Sequence, residues 1–156
     1  MFRQMRRIKQ QLSEEECVRL LKQEPRGVLA VLGDGGYPYT VPMDFLYEDG
    51  KLYFHCAAAG HRMDAIAACD KVSFCVMDQG YRREGEWALN IKSVIVFGRI
   101  RKIEDRAEII ERVRRMGLKY YPNAEDVEAE IRKDGVRVCC LELTVDHMTG
   151  KLVNES

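Results

Sequence analysis

Residues 54 to 62, Phe-His-Cys-Ala-Ala-Ala-Gly-His-Arg, place two imidazoles, a thiol and a guanidinium around four side chains too small to crowd a ligand. The run just before it, Lys51 to Cys56, alternates as a strand should, with Leu52, Phe54 and Cys56 on one face and Tyr53 and His55 on the other. A helix opening at Gly60 would present free N–H groups and the positive end of its dipole. Arg62 falls in that first turn, where acidic residues are the favoured ones, and an anion bound between the amides and the guanidinium would resolve the conflict. His61 could add a donor if protonated or suitably oriented. A plainer reading stands beside this one, in which Gly60 merely stops the strand and Arg62 is solvated. His55 likewise reads either as a wall residue or as a reactive one.

Other chemistry finds little support. His55, Cys56 and His61 match no regular zinc spacing, so no metal site is expected. The chain has no G-x-S-x-G, no P-loop and no G-x-G-x-x-G following a strand. Ser13, Ser73 and Ser93 have no evident His and Asp partners for nucleophilic hydrolysis. The six cysteines, at 17, 56, 69, 75, 139 and 140, show no C-x-x-C spacing. Cys139 and Cys140 would point to opposite faces of a strand, so the set reads as small buried hydrophobes.

The elements that must position the junction follow from local patterns. Ser13 and Glu16 form a capping-box pair ahead of a helix carrying Cys17, Leu20 and Leu21, which Pro25 and Gly27 end. Gly27 to Leu32 is a short apolar run expected to be a buried strand, and Gly33-Asp34-Gly35-Gly36 signals a hairpin. Residues 37 to 57 read as two strands around a second turn at Glu48-Asp49-Gly50-Lys51. Pro38 and Pro42 in the first of these cannot donate to a ladder, so that strand should be an edge, carry a bulge or leave backbone free for a ligand. Met63, Ile66 and Ala67 share a helical face after the junction, and residues 71–78 read as a strand. A polar loop with the only tryptophan, Trp87, leads to a long strand over residues 90–105, in which Gly98 suggests a bend or bulge. Ile109, Ile110, Val113 and Met116 form the stripe of an amphipathic helix, followed by a shorter helix over 124–133 and a last strand ending at a Thr149-Gly150 turn. Six or seven strands in hairpins, with helices set apart, make an α+β domain built on a small closed or partly closed antiparallel barrel. No repeat, linker or boundary divides residues 1–156, so one domain is expected.

Composition narrows the partners. Twenty-five basic residues balance 25 acidic ones, so no global field draws nucleic acid or an anionic membrane. The local basic run Arg3, Arg6, Arg7 and Lys9 reads as an arm lying along a surface rather than a nucleic-acid patch. No apolar stretch approaches the ~18 residues of a membrane span, and the first residues lack a signal peptide's apolar centre. A cytoplasmic location is the expectation.

Five segments in order carry a family resemblance: MRRIKQQL, GVLAVLGDGGYPYTVPMDFLYEDGKLYFHCAAAGHRMDAI, SVIVFGRIRKIED, KYYP and LTVDHMTGK. On these the chain resembles the pyridoxamine 5'-phosphate oxidase-like flavin-binding split-barrel proteins, and within them the 5-nitroimidazole-resistance branch. The resemblance implies a six- to seven-stranded antiparallel split barrel that binds FMN at the interface of a homodimer. It places Arg62 as the main phosphate cation and His61 as a second donor. It lays His55, Cys56 and Ala57 along the ribityl chain and phosphate, and Thr40, Val41, Pro42 and Met43 along the flavin ring. Ser93 and Val94 match a strand segment reaching the flavin, from the same or the other subunit. Ile91 and Lys92 stand where relatives often carry an aromatic, and the further basic residues that hold pyridoxal phosphate have no counterpart. Pyridoxamine oxidation is therefore not implied. The implied activity is electron transfer from NADH or NADPH through the flavin to a small acceptor such as a nitroaromatic. The alternative is a flavin-, haem- or F420-binding protein that senses or stores.

Overall fold

The computed structural model describes residues 1–155. Its elements are α1 (Glu14–Gln23), β1 (Arg26–Leu32), β2 (Pro38–Asp44), β3 (Leu46–Glu48), β4 (Lys51–Cys56), α2 (His61–Ala68), β5 (Lys71–Met77), β6 (Leu89–Lys102), α3 (Arg106–Tyr120), α4 (Ala124–Asp134) and β7 (Cys139–Glu155). All seven strands join one antiparallel sheet in the order β2-β1-β5-β6-β7-β4-β3. The expected α+β split barrel is what forms.

A single residue makes the sheet curl. β2 ends at Asp44 and β3 begins at Leu46, yet the two strands occupy opposite edges of the sheet. The edges must approach each other, and Phe45, fully buried, is the corner between them. The sequence reading of one strand ahead of the Glu48–Lys51 turn is corrected here: it is two short strands broken by this corner. Because Phe45 pairs with neither edge, its backbone polar groups need other partners. α3 supplies them. Tyr120 Oη accepts from the Phe45 N–H at 2.8 Å and donates to the Pro25 carbonyl at 2.6 Å. Lys119 Nζ donates to the carbonyls of Glu24 and Phe45 at 2.8 and 2.9 Å and stands 3.8 Å over the Phe45 ring.

Phe45 and Phe54 both meet Phe74 edge-on, at 4.9 and 5.2 Å, in the middle of the barrel core. A smaller cluster of Tyr53, Ile103, Ile109, Met116 and Cys140 fills the gap between the other face of the sheet and α3. Ser13 and Glu16 close the expected capping box on α1. The N-terminal arm lies on the sheet, with Phe2 stacked on His147 at 4.6 Å and on Phe97 at 5.4 Å. β2 is an edge strand, which accommodates Pro38 and Pro42.

Gly98 marks a register shift in β6, where an added Cβ would stand 2.2 Å from the Thr144 carbonyl oxygen. Thr149 and Gly150, read as a turn, instead sit in the continuous ladder opposite Ile95 and Val94. Gly150 is needed for a different reason: a Cβ there would stand 2.5 Å from Cys17 Sγ, where α1 crosses β7. The cysteines also divide. Cys17, Cys139 and Cys140 are buried, Cys56 and Cys69 are half-buried, and Cys75 is exposed because its position in β5 faces out of the barrel.

Candidate functional site

β4 delivers its last residues to a gap at the barrel's end, and α2 starts across that gap. Gly60 makes the turn between them with φ +124°, a conformation L side chains rarely adopt, and a Cβ there would meet nothing within 4 Å. The space above the first turn of α2 is open. No side chain caps the start of α2, so the first amides of the helix point into that space without a side-chain acceptor.

Arg62 turns inward from this turn. Its Nη1 lies 3.8 Å from Met43 Sδ, and its Nε is buried with no hydrogen-bond partner. Its other near neighbour is Cys56, whose Sγ lies 3.9 Å from Met63 Sδ. Burial, reinforced by the adjacent Cys139, pushes the Cys56 thiol up to about 11 against the opposing pull of Arg62. At neutral pH the thiol is protonated and gives Arg62 no counter-charge. Arg62 forms no ion pair with a carboxylate among the described residues. A guanidinium with an unsatisfied buried N–H, flanked by two sulfurs and set in the first turn of a helix whose start is uncapped, matches the donor set of an anionic phosphate.

His61 is held differently from Arg62. Its Nε2 accepts the Asp34 N–H at 3.1 Å, and its ring stacks on Tyr39 at 4.3 Å. With Nε2 accepting this bond, Nδ1 is the ring nitrogen left to donate to a ligand. The Asp34 carboxylate, 3.7 Å from Nε2, would pair with the ring only if it were protonated. Asp34 and Tyr39 were not singled out from sequence, although Tyr39 shares its face of β2 with Val41 and Met43.

The remaining expected site residues separate by face. Val41 is half-buried against the barrel core, and Ala57 is exposed at the junction. His55 is exposed on the opposite face of β4 from Cys56, toward α3 and α4. Val94 is fully buried, and its backbone is engaged by both β5 and β7. Thr40, Pro42 and Ser93 all face outward from the barrel. They border two cross-strand rows, Pro42-Val28-Cys75-Ile95-Thr149 and Thr40-Ala30-Ser73-Phe97-His147. Within one chain, then, Met43, Cys56, His61 and Arg62 come together at the end of the barrel, while Ser93 lies on the outer face several strands away.

The family model described as Pyridoxamine 5'-phosphate oxidase matches residues 13–152. Among solved structures, a protein from Bacteroides thetaiotaomicron named for 5-nitroimidazole antibiotic resistance is 20% identical, with a TM-score of 0.78 over 93% of this chain and 87% of that one. An FAD-binding protein from Mesorhizobium loti is 23% identical, with a TM-score of 0.66 over 92% and 96% of the two chains. An FAD and haem binding protein from Mycobacterium smegmatis is 23% identical, with a TM-score of 0.74 over 92% and 73%. Among curated proteins, none matches the chain. At these identities the structural likeness speaks for the fold. No helix among the described residues is long and apolar enough to cross a membrane.

Proposed function

The chain belongs to the pyridoxamine 5'-phosphate oxidase family, and from that membership we propose that it binds a flavin, FMN, by its phosphate at the start of α2. The observation that carries the reading is the buried, unpartnered Nε of Arg62 beside an uncapped helix start. Arg62 would hold the phosphate, with His61 Nδ1–H and the first amides of α2 as further donors. The freedom at Gly60 lets the phosphate reach those amides without meeting a side chain. Met43 and Cys56 flank the guanidinium and fix its approach, and the free edge of β2 from Thr40 to Met43 offers backbone groups to the ring. The names of the Mesorhizobium and Mycobacterium neighbours support a flavin in this fold.

The bound flavin would supply hydride and electron transfer between NADH or NADPH and a small acceptor such as a nitroaromatic. The protein would then be a flavin oxidoreductase whose side chains bind and orient. A second copy of the chain completes the proposal. Val28, Cys75, Ile95, Phe97 and Met77 form an exposed, largely apolar outer face, the kind of surface a homodimer covers. Ser93 lies in that same face, so pairing would set it against the partner subunit.

The test is a visible spectrum of the purified protein, heat release and mass identification of any chromophore, and anaerobic titration with NADH and NADPH. Released FMN that bleaches with either nucleotide supports the full reading. FMN that neither nucleotide reduces leaves the binding site standing and removes the nicotinamide donor. A haem Soret band, or no chromophore after reconstitution with FMN, overturns the assignment.

A further inference from the structure

β4 has a second face with a cavity against it. Where Cys56 turns toward Arg62, His55 turns the other way, into a cavity of about 300 Å³ between the sheet, α3 and α4. That volume lies at the lower end of small-molecule pockets, about 300 to 1,000 Å³. Its depth is apolar, made by Met116 and Val127, both buried, with Val113 and Ile131 beside them. The helices can approach closely because α3 carries Gly117, where a Cβ would stand 2.8 Å from Val127 Cγ1. Below, the Tyr120 hydroxyl is spent on the Phe45 and Pro25 backbone and leaves its ring to the cavity wall.

The charged side chains that line the cavity are all acidic, although Arg106 reaches its edge at the Val138 carbonyl. Asp44, Glu130 and Asp134 line it, and neither Lys nor Arg does. Asp44 is answered by Arg26 at 2.9 Å, with Lys119 also nearby. Glu130 and Asp134 have no ion-pair partner among the described residues. They lie one helical turn apart on the same face of α4, a like-charge spacing that weakens a helix. Elsewhere on these helices Glu111 and Glu128 pair with Arg114, while Glu108, Glu125 and Asp126 lie in first turns, where the helix dipole favours an acid. Two unanswered carboxylates at the mouth of an apolar cavity complement one kind of molecule, a small organic cation with an apolar body.

We propose that this cavity binds a small aryl- or alkyl-amine, with its body between Met116, Val113 and Val127 and its ammonium group at Glu130 and Asp134. The site stands apart from Arg62, on the other face of β4, and does not depend on the identity of the cofactor.

The experiment uses three probes of the same shape: 2-phenylethylamine, the neutral 2-phenylethanol and the anionic 3-phenylpropionate. Each is titrated into the ¹⁵N-labelled full chain as purified. The amine should shift the amides of Gly117, Val127 and Gly135, the alcohol should bind at least about threefold more weakly, and the acid should not bind at those amides. In the double variant Glu130→Gln, Asp134→Asn the amine should fall to the affinity of the alcohol, whose own binding stays unchanged. Both positions are exposed, so the variant keeps its fold, and a thermal melt checks this. Equal binding of all three probes, no shift at the pocket amides, or an amine preference that survives in the double variant would each overturn the proposal. Binding that is also lost on Arg62→Met would place the amine at the other face of β4 and overturn it as well.

Discussion

Arg62→Met separates a ligand-binding arginine from a structural one, because the two roles predict opposite signs. Methionine keeps much of the length and apolar stem of Arg62 but removes the guanidinium. Arg62 Nε is buried without a hydrogen-bond partner from the chain, and its guanidinium has only the Met43 and Cys56 sulfurs beside it. Leaving a buried donor unmade costs about 1–3 kcal/mol, so exchanging it for an apolar group should stabilise the apoprotein by about 1 kcal/mol. For a chain of this size that is a rise in melting temperature of about 2–4 °C. The ligand-bound protein should respond in the opposite direction. A guanidinium–phosphate contact is charge-assisted, each such bond contributing about 1.5–3 kcal/mol. Loss of one or two of them, about 2–4 kcal/mol, weakens FMN binding roughly 30- to 700-fold.

Two assays read these separately: calorimetry of the flavin-free protein, and quenching of flavin fluorescence as apoprotein is added. A variant that melts several degrees below the parent and still binds FMN with parental affinity would refute the reasoning, because Arg62 would then be a structural residue. Arg62→Glu is the harsher companion. It should purify without flavin, because it removes the cation and adds repulsion toward a phosphate, and its far-ultraviolet spectrum checks that the barrel is still folded.

Ile95→Arg, at the centre of the exposed outer face, should convert a dimer into a monomer in sedimentation while leaving the melting profile of the barrel nearly unchanged, because Ile95 is not part of the core; persistence of the dimer would move the interface elsewhere. Gly98→Ala should destabilise by about 2–3 kcal/mol or abolish soluble expression, because its Cβ would drive into the Thr144 carbonyl, and a neutral result in urea unfolding would contradict the bulge. Burial lowers the Lys119 ammonium to about 8, below the ~10.4 of an unfolded lysine, although two carbonyls and the Phe45 ring favour its charged form. As pH falls from ~10 to 8 the unfolded chain takes up that proton first, so Lys119 contributes a positive slope of stability against pH in this window. The Cys56 and Cys140 thiols, which keep their protons when folded, oppose it, so the slope should be more positive in the parent than in Lys119→Met. Above pH ~10 Tyr120 adds a negative slope, because burial pushes its hydroxyl up to about 12 and the folded state keeps a proton the unfolded chain releases.

What the sequence disclosed depended on how local each feature is. Ser13 and Glu16 cap a helix through contacts three residues apart, and the Asp49-Gly50 turn sets its own backbone, so both were legible. The prolines of β2 marked an edge because proline forbids a ladder bond wherever it sits. The Phe45 corner was not legible, since nothing at residue 45 breaks a strand. The break comes from Lys119 and Tyr120, far along the chain, which take the backbone groups a ladder would have used. Gly150 misled for a similar reason: its small size answers α1 crossing above it, and a turn glycine looks the same in sequence. At the junction, the conflict between the charge of Arg62 and the helix dipole was legible because both lie within one turn. The lock on His61 was not, because Asp34 and Tyr39 reach it across the β1–β2 hairpin.

The corner and the site are one construction. Met43 stands two residues before Phe45, so the bonds from α3 that hold the corner also fix where β2 arrives beside Arg62. On the other edge, β4 alternates through the same closure. Phe54 and Cys56 face the core and Arg62, while Tyr53 and His55 face α3 and the second cavity. α3 thus contributes to both faces, closing the barrel that presents Arg62 and walling the pocket behind it. The barrel needs its two edges to meet in one residue, and that demand places the unpartnered Arg62 and an acid-rimmed apolar pocket on the two sides of a single strand. Neither location requires the other to be occupied, so loss of the ligand at one is expected to leave binding at the other intact.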